Sequence, residues 1–257
     1  MRILKSIAVA FSMYSRIPMP KFNWESEDMK YHLIFFPLVG AVIGALEYGW
    51  YYLAFNLWPE PGVYVFPFYL VAIAIPIFVT GGFHVDGFMD TSDALASWGD
   101  KEKKLEILKD SHVGAFAIIR LVTLGLVLMA ALYMMDLAGF LAWCYSFFAT
   151  RCISGICVIK YKKAKNDGIL NTSAKTASEK AVLVTLVVEF IICAVWAGAR
   201  FSWYWNVSLF ALIIALIHYI YTAHAKFGGI TGDLAGWFVC NAEVLMAVAI
   251  AIISAVI

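Results

Sequence analysis

Charged residues are scarce in this chain of 257 residues, and those present nearly balance. Only 14% of the residues are Asp, Glu, Lys or Arg, against roughly 25% in a typical soluble domain, and the formal net charge is +1. The shortage of charge excludes an ordinary soluble domain. The near-neutral balance argues against a nucleic-acid-binding protein, which needs a positive surface.

Cysteine pairs with the spacing of a metal site are also missing. The cysteines stand singly inside apolar stretches, without a CxxC motif: Cys144, Cys152, Cys157, Cys193 and Cys240. Isolated cysteines of this kind are usually small buried side chains, so we expect neither a disulfide bond nor a zinc site.

Hydrophobic residues are abundant instead, at 63% of the chain, and they are gathered in long runs. A helix needs roughly 20 apolar residues to cross the hydrocarbon of a bilayer. The runs that approach this length are 32–57, 62–80, 113–135, 137–159, 181–199, 203–225 and 234–257. The sequence therefore predicts one all-α domain over residues 1–257, a polytopic integral membrane helical bundle with about seven transmembrane helices.

The lysines are concentrated in the two long polar breaks between these runs, at 81–112 and 160–180. Because cytoplasmic loops of membrane proteins are enriched in Lys and Arg, we expect both breaks in the cytoplasm. The N-terminus and the turn at 228–233 fall on the same side, and the C-terminus falls outside. Every polar segment with a chemical role then lies on the cytoplasmic face of the cell inner membrane, which predicts an active site there.

The first long break contains an acidic pattern. Asp86, Asp90 and Asp93 stand at i, i+4 and i+7, so in a helix they share one face. Carboxylates at a membrane edge need pairing, hydration or a cation, and oxygen ligands without cysteine favour a hard ion such as Mg²⁺. Nearby His84 is a proton shuttle, an orienting partner of Asp86 or a plain interfacial residue.

A second acidic segment follows, with Glu106 and Asp110 at i and i+4 before Ser111. Carboxylates from two segments would form the two-metal clamp that stabilises phosphoryl transfer. The alternative for Glu106 is an exposed ion pair with Lys103 or Lys109.

Eight residues, most of them glycines or basic residues, are candidates for binding an anionic substrate. Glycine allows close approach of backbone to a phosphate, and an arginine inside a span needs a phosphate or carboxylate partner. The candidate binding residues are Gly82, Gly87, Ser111, Arg151, Lys165, Lys226, Gly232 and Asp233.

Several motifs together resemble one known family. GGFHVDGFMDTSDA at 81–94 and ILKDSHVGAFA at 107–117 are similar to the signature of the cobalamin synthase family, the adenosylcobinamide-GDP ribazoletransferases. YSRIPMP with FFPLVGAVIG, Arg151 with AKNDGI, and KFGGITGD resemble the family's other motifs. The resemblance extends over nearly the whole chain.

The resemblance implies a Mg²⁺-dependent enzyme that joins adenosylcobinamide-GDP to α-ribazole, or to its 5′-phosphate, and releases GMP. It implies a catalytic set of His84, Asp86, Asp90, Asp93, Lys109 and Asp110, with metal ligands among Asp86, Asp90, Asp93 and Asp110. The expected partners are these two substrates and the lipid bilayer, with no nucleic acid. Other copies of the chain and other enzymes of nucleotide-loop assembly are further candidates.

Two alternatives follow from the residues alone. A CDP-alcohol phosphatidyltransferase uses similar metal chemistry, but its Asp-Gly followed shortly by Ala-Arg is absent from this chain. A cation-coupled or proton-coupled transporter would use Glu47, Glu189 and Glu243, which lie inside apolar runs. It does not explain why most of the acids gather on one face.

Overall fold

The computed structural model describes residues 2–20, 23–25, 27–57, 65–110, 112–164, 175 and 177–256. Helices dominate these residues, as the hydrophobic runs predict. They are α1 (Arg2–Tyr14), α2 (Phe36–Leu57), α3 (Val65–Thr80), α4 (Phe83–Ala96), α5 (Lys101–Ile107), α6 (Ala115–Met134), α7 (Leu137–Cys144), α8 (Ser146–Lys160), α9 (Glu179–Thr222) and α10 (Gly232–Val256). A 3₁₀ helix over Asp28–Phe35 precedes α2, and a π-helical turn over Ala223–Phe227 follows α9.

Long apolar helices make this chain a multi-pass membrane bundle. Among the described residues, five helical segments are long and apolar enough to cross a bilayer, and a sixth arises if the bent pair α3 and α4 is one span. The five are Asp28–Leu57, Ala115–Met134, Leu137–Lys160, Glu179–Phe227 and Gly232–Val256. The predicted total of seven spans and the cytoplasmic orientation stay predictions.

Helix α9 folds back on itself at Ser202, whose φ of 44° and ψ of −109° interrupt the helix. Near one end of α9, Glu179 Oε1 lies 3.5 Å from Lys160 Nζ. Just beyond the other end, the ring centroid of His224 lies 5.9 Å from that of Tyr161. A straight helix of 44 residues would be roughly 66 Å long, so both ends approach the end of α8 only because the chain reverses.

A sharp turn separates α3 from α4. Gly81 and Gly82 have φ of 69° and 83°, a left-handed conformation that is readily adopted only by glycine. The two helices are bent by 96° at this break. As a result α4 leaves the direction of α3 and packs against α6 and α10.

Two further glycines let α4 and α10 touch through their backbones. A Cβ added at Gly87 would lie 2.8 Å from Asp233 Cα, and one at Gly236 would lie 2.9 Å from the His84 carbonyl oxygen. Both distances are too short for any other residue type without movement of a helix. This packing places the first turn of α10 beside the acidic face of α4.

One core cluster packs α4, α8, α9 and α10 together and includes the buried Trp205, Tyr219 and Phe238, while the buried Trp143 of α7 lies in a second cluster. All five cysteines are free, and all but Cys240 are buried. The predicted burial of the cysteines is confirmed for four of them, while Cys240 is partly exposed.

Candidate active site

The acidic pattern lies on a helix, as its spacing predicts, because α4 runs from Phe83 to Ala96. Asp86 is exposed in its first turn, and Asp90 and Asp93 are partly buried further along. The three carboxylates therefore follow one face of α4 from solvent toward the contact with α6.

Asp233 joins this face from another helix. Asp86, Asp233 and Asp93 all act electrostatically on Asp90 as neighbouring charges of the same sign. No hydrogen bond or ion pair from the described residues reaches the side chain of Asp86 or Asp90. Carboxylates of α4 and α10 are therefore close together. Within the described part of the chain, no basic side chain forms an ion pair with Asp90.

Asp93 differs from the other two because it caps a helix. Its Oδ2 accepts a hydrogen bond of 2.6 Å from Gly114 N, and its Oδ1 accepts one of 2.8 Å from Ala117 N. These N–H groups belong to the start of α6, where helices have no backbone acceptors of their own. Asp93 fastens α6 to α4, and its role as a metal ligand stays a prediction.

The donor set limits what kind of metal site this face can form. Among the described residues, no group of three or more His, Cys, Asp or Glu side chains is placed to hold a metal ion. Mg²⁺ does not need such a cage, since it commonly takes one or two carboxylates, several waters and substrate phosphates. Asp90, with Asp86 or Asp233, fits that pattern.

The segment after α8 pairs with the turn before α10. Ile230 N donates to the Lys162 carbonyl oxygen at 2.8 Å, and Ala164 N donates to the Ile230 carbonyl oxygen at 2.9 Å. A side chain at Gly229 would collide with this segment, because its Cβ would lie 2.6 Å from Ala164 N. The basic loop is thereby held against the turn that presents Asp233.

Four lysines from three segments surround this turn. We call them the basic collar: Lys101, Lys162, Lys163 and Lys226. Lys101 Nζ donates to the His224 carbonyl oxygen at 3.3 Å, which ties α5 to the π-helical turn. Burial lowers the pKa of Lys163. The negative charge of Glu179 acts in the opposite direction and partly offsets this lowering.

The predicted second acidic segment lies apart from these carboxylates. Asp110 Oδ1 accepts a hydrogen bond of 3.0 Å from His112 N and lies 2.6 Å from His112 Nδ1. The backbone and side chain of His112 hold the pKa of Asp110 below its usual range. Lys109 is exposed, and Glu106 forms the exposed ion pair with Lys103 at 2.9 Å. The charges that act on Asp110 are His112 and Lys103, not those of α4.

Arg151 has its partner inside the bundle. Its Nη1 lies 2.7 Å from Glu243 Oε1 and donates to the Phe147 carbonyl oxygen at 2.8 Å. Thr150 Oγ1 donates to the same carboxylate at 3.1 Å. Of the two expected partners of Arg151, phosphate or carboxylate, the structure provides a carboxylate.

His84 is buried, and its ring packs against Phe83 and Phe36 with centroids 3.9 Å and 5.9 Å away. No hydrogen bond from the described residues orients it toward Asp86. Its surroundings fit a packing role at the contact of α4 with α2 and α10 better than a solvent-facing proton shuttle.

The remaining predicted residues lie next to the Asp233 turn, inside the bundle or outside the described residues. Lys226 is exposed beside the turn, and a Cβ at Gly232 would meet open space. Ser111 and Lys165 lie outside the described residues. Glu47 is fully buried, and neither of its carboxylate oxygens has a hydrogen-bond partner within the described part of the chain.

Sequence reasoning missed two residues that position α4. The buried Lys104 donates through Nζ to the carbonyl oxygens of Ala94 and Ser97 at the end of α4. At the other end, the Arg16 side chain lies against Gly81. The conspicuous YSRIPMP motif was a signal for Arg16, whereas nothing in the lysine-rich α5 distinguishes Lys104.

Comparison with known proteins gives a consistent result. The family model described as "Cobalamin-5-phosphate synthase" matches residues 6–251. A protein of Lachnoclostridium phytofermentans called adenosylcobinamide-GDP ribazoletransferase is 35% identical over 257 residues, covering 100% of this chain and 97% of that protein. Proteins of the same name from Clostridium perfringens and Geotalea daltonii are 31% and 29% identical, covering 93% and 91% of this chain and 94% and 92% of theirs. No solved structure matches the chain.

Proposed function

The chain belongs to the cobalamin-5-phosphate synthase family, and we propose that its reaction takes place between the acidic face of α4 and the basic collar. It is a membrane-embedded transferase of cobalamin synthesis that joins adenosylcobinamide-GDP and ribazole. The observation that supports this location is that Asp90 and Asp233 lie close together, beside the turn that the collar surrounds.

The reaction transfers the phosphoryl group that carries cobinamide from GMP to a hydroxyl group of ribazole. A ribazole hydroxyl attacks the phosphorus attached to cobinamide, a new P–O bond forms, and the P–O bond to GMP breaks. GMP leaves with the bridging oxygen, and the proton of the attacking hydroxyl passes to a carboxylate. Asp86 is best placed to receive it, because it is the most exposed aspartate of the α4 face.

The diphosphate of the donor brings negative charge to a face that is already acidic. Mg²⁺ bound by Asp90 with Asp86 or Asp233 would neutralise the developing charge on the phosphate oxygens. Asp93 holds α6 against α4, and Lys104 holds the end of α4, so the acidic face keeps its shape. A preorganised face avoids rearrangement during the reaction.

The basic collar binds the anionic groups that the acidic face repels. Lys162 and Lys163 lie beside the turn of Asp233, so a diphosphate between the two regions would meet lysine on one side and carboxylate on the other. Replacing both lysines by Gln should raise the KM for the donor by about 10-fold, a loss typical of charge-assisted hydrogen bonds. Lys180→Gln, at an exposed lysine outside the collar, is the matched control.

In the proposed orientation, the chain lies in the cell inner membrane and this face is on the cytoplasmic side. The lysines of the collar and of α5 support it through the positive-inside rule. Single cysteines introduced at Lys101 and Lys162 of a cysteine-free variant should be labelled only from the cytoplasm, and one at the C-terminus only from outside. Labelling of Lys101 and Lys162 from opposite sides would overturn the orientation.

The activity is tested by product formation from purified protein in lipid. We expect adenosylcobinamide-GDP with α-ribazole, or with its 5′-phosphate, to give a new corrinoid and one GMP per product. A CDP-linked lipid donor in place of adenosylcobinamide-GDP should give no CMP. If the protein turned over the CDP-linked donor but not adenosylcobinamide-GDP, the proposed reaction would be wrong.

A further inference from the structure

Arg120 is an exposed arginine inside a lipid-facing helix. It is the sixth residue of α6, and the helix around it is apolar, with exposed Phe116, Ile119 and Val122. No ion pair or hydrogen bond from the described residues reaches its guanidinium group. An unpaired charge among lipid-facing side chains is costly, so an external anion must accompany it or its head must reach the membrane surface.

The position of Arg120 directs it toward the active-site end of the bundle. Its Cα lies about 8 Å along the axis from the start of α6, at the end that Asp93 caps. Helical side chains point toward the N-terminus of their helix, so the guanidinium group extends toward that end. The membrane boundary beside α4 is therefore within its reach.

The neighbours of Arg120 on α6 place it at the edge of the packed face. One turn earlier, Ala117 is buried and donates its N–H to Asp93 Oδ1 at 2.8 Å. One turn later, Leu124 packs against the core. On the other side, Phe116 and Thr123 are exposed. Arg120 thus borders the acidic face of α4 on one side and the lipid on the other.

We propose that Arg120 binds a phosphate group at the membrane boundary next to the acidic face. A guanidinium group presents a planar fork of N–H donors that matches two phosphate oxygens. Two sources carry such a group: the headgroup of a phospholipid and the diphosphate of the corrinoid donor. The second source rests on the proposed function, and the first does not.

The test compares Arg120→Gln and Arg120→Lys with wild type in two assays. Native mass spectrometry of protein in maltoside, titrated with phosphatidylglycerol, measures lipid binding without any turnover. Steady-state kinetics at saturating lipid measure the KM for adenosylcobinamide-GDP. Arg200→Gln is the matched control, because Arg200 is also exposed but lies near the reversal of α9, with its Cζ 5.9 Å from the Trp196 ring centroid.

We expect Arg120→Gln either to weaken phosphatidylglycerol binding or to raise the KM for adenosylcobinamide-GDP, by about 10-fold. Arg120→Lys should lie between Arg120→Gln and wild type, because lysine keeps the charge but lacks the planar set of N–H donors. Weaker lipid binding identifies the phospholipid, and a higher KM identifies the donor. Lipid binding and KM equal to those of wild type and Arg200→Gln would overturn the proposal. If wild-type protein gives no turnover, the proposed function fails, while the lipid titration alone decides whether Arg120 binds phosphate.

Discussion

An aspartate lies near each end of α6, Asp136 near one end and Asp90 of α4 near the other, and the two side chains have different surroundings. Past the end of α6, Asp136 accepts hydrogen bonds from Gly139 N at 2.8 Å, Tyr204 Oη at 2.6 Å and Ser254 Oγ at 3.3 Å. Beside its beginning, Asp90 has no such donor among the described residues and lies near three other carboxylates. The carboxylate of Asp136 is therefore satisfied by hydrogen bonds within the protein, whereas the carboxylate of Asp90 is available to bind a ligand.

This difference separates stabilising from functional carboxylates. Hydrogen bonds at Asp136 lower the energy of the folded chain, because they cap the start of α7 and tie it to the Tyr204 hydroxyl of α9. Like charges around Asp90 raise that energy. Natural proteins tolerate such a cost mainly where activity requires it, which is why we assign the chemistry to the α4 face.

The largest effect is expected for Asp90→Asn and Asp86→Asn. Each removes a charge that the transfer requires, so kcat/KM should fall by about 1,000-fold or more. The free energy of unfolding should stay equal or rise, because a repulsive charge is gone. The rate of GMP release measures kcat/KM, and equilibrium unfolding in denaturant measures the free energy of unfolding. Full activity of both variants would remove the α4 face from the mechanism.

A smaller loss is expected when the contact between α4 and α10 is forced apart. In Gly87→Ala the new Cβ would lie 2.8 Å from Asp233 Cα, so the two helices must separate. A displacement of about 1 Å at a catalytic site can reduce turnover by about 100-fold. Gly125→Ala is the control, because a Cβ there has no neighbour within 4 Å. Equal activity of the two variants would show that the contact does not set the geometry of the site.

The smallest effect on catalysis is expected at the far end of α6. Asp136→Ala removes a helix cap, so the free energy of unfolding should fall by about 1–2 kcal/mol with turnover per folded molecule unchanged. Asp93→Ala should lose similar stability and also activity, since its cap holds α6 beside Asp90. Loss of turnover in Asp136→Ala at intact folding would contradict the distinction between the two ends.

Local features of this fold could be predicted from the sequence. The i, i+4, i+7 spacing of aspartates predicted the shared face of α4, and the end of an apolar run at residue 80 predicted the break between α3 and α4. The polar interruption at Arg200 between two apolar runs anticipated the reversal of α9 near Ser202. Each of these depends on residues close together in the chain.

Contacts between distant segments could not be predicted in this way. The spacing of Asp93 from Asp86 and Asp90 predicted a third metal ligand. Its role as a helix cap was not visible in the sequence, because its hydrogen-bond donors, Gly114 and Ala117, lie 21 and 24 residues further along the chain. Lys104 looked like a solvated lysine, but tertiary packing buries it under the end of α4. Arg151 and Glu243 were each suspected separately, and only the packing of α8 on α10 pairs them.

The most direct test of this account is a Mg²⁺ titration of GMP release from adenosylcobinamide-GDP by wild type, Asp90→Asn and Asp136→Asn. We predict no release by wild type in a chelator, a saturable rise with Mg²⁺, the same midpoint for Asp136→Asn, and little or no release by Asp90→Asn at any Mg²⁺ concentration. Release that persists in the chelator, or an Asp90→Asn curve that overlays the wild-type curve, would contradict the central claim that the unsatisfied carboxylates of α4 carry out the transfer with a divalent cation.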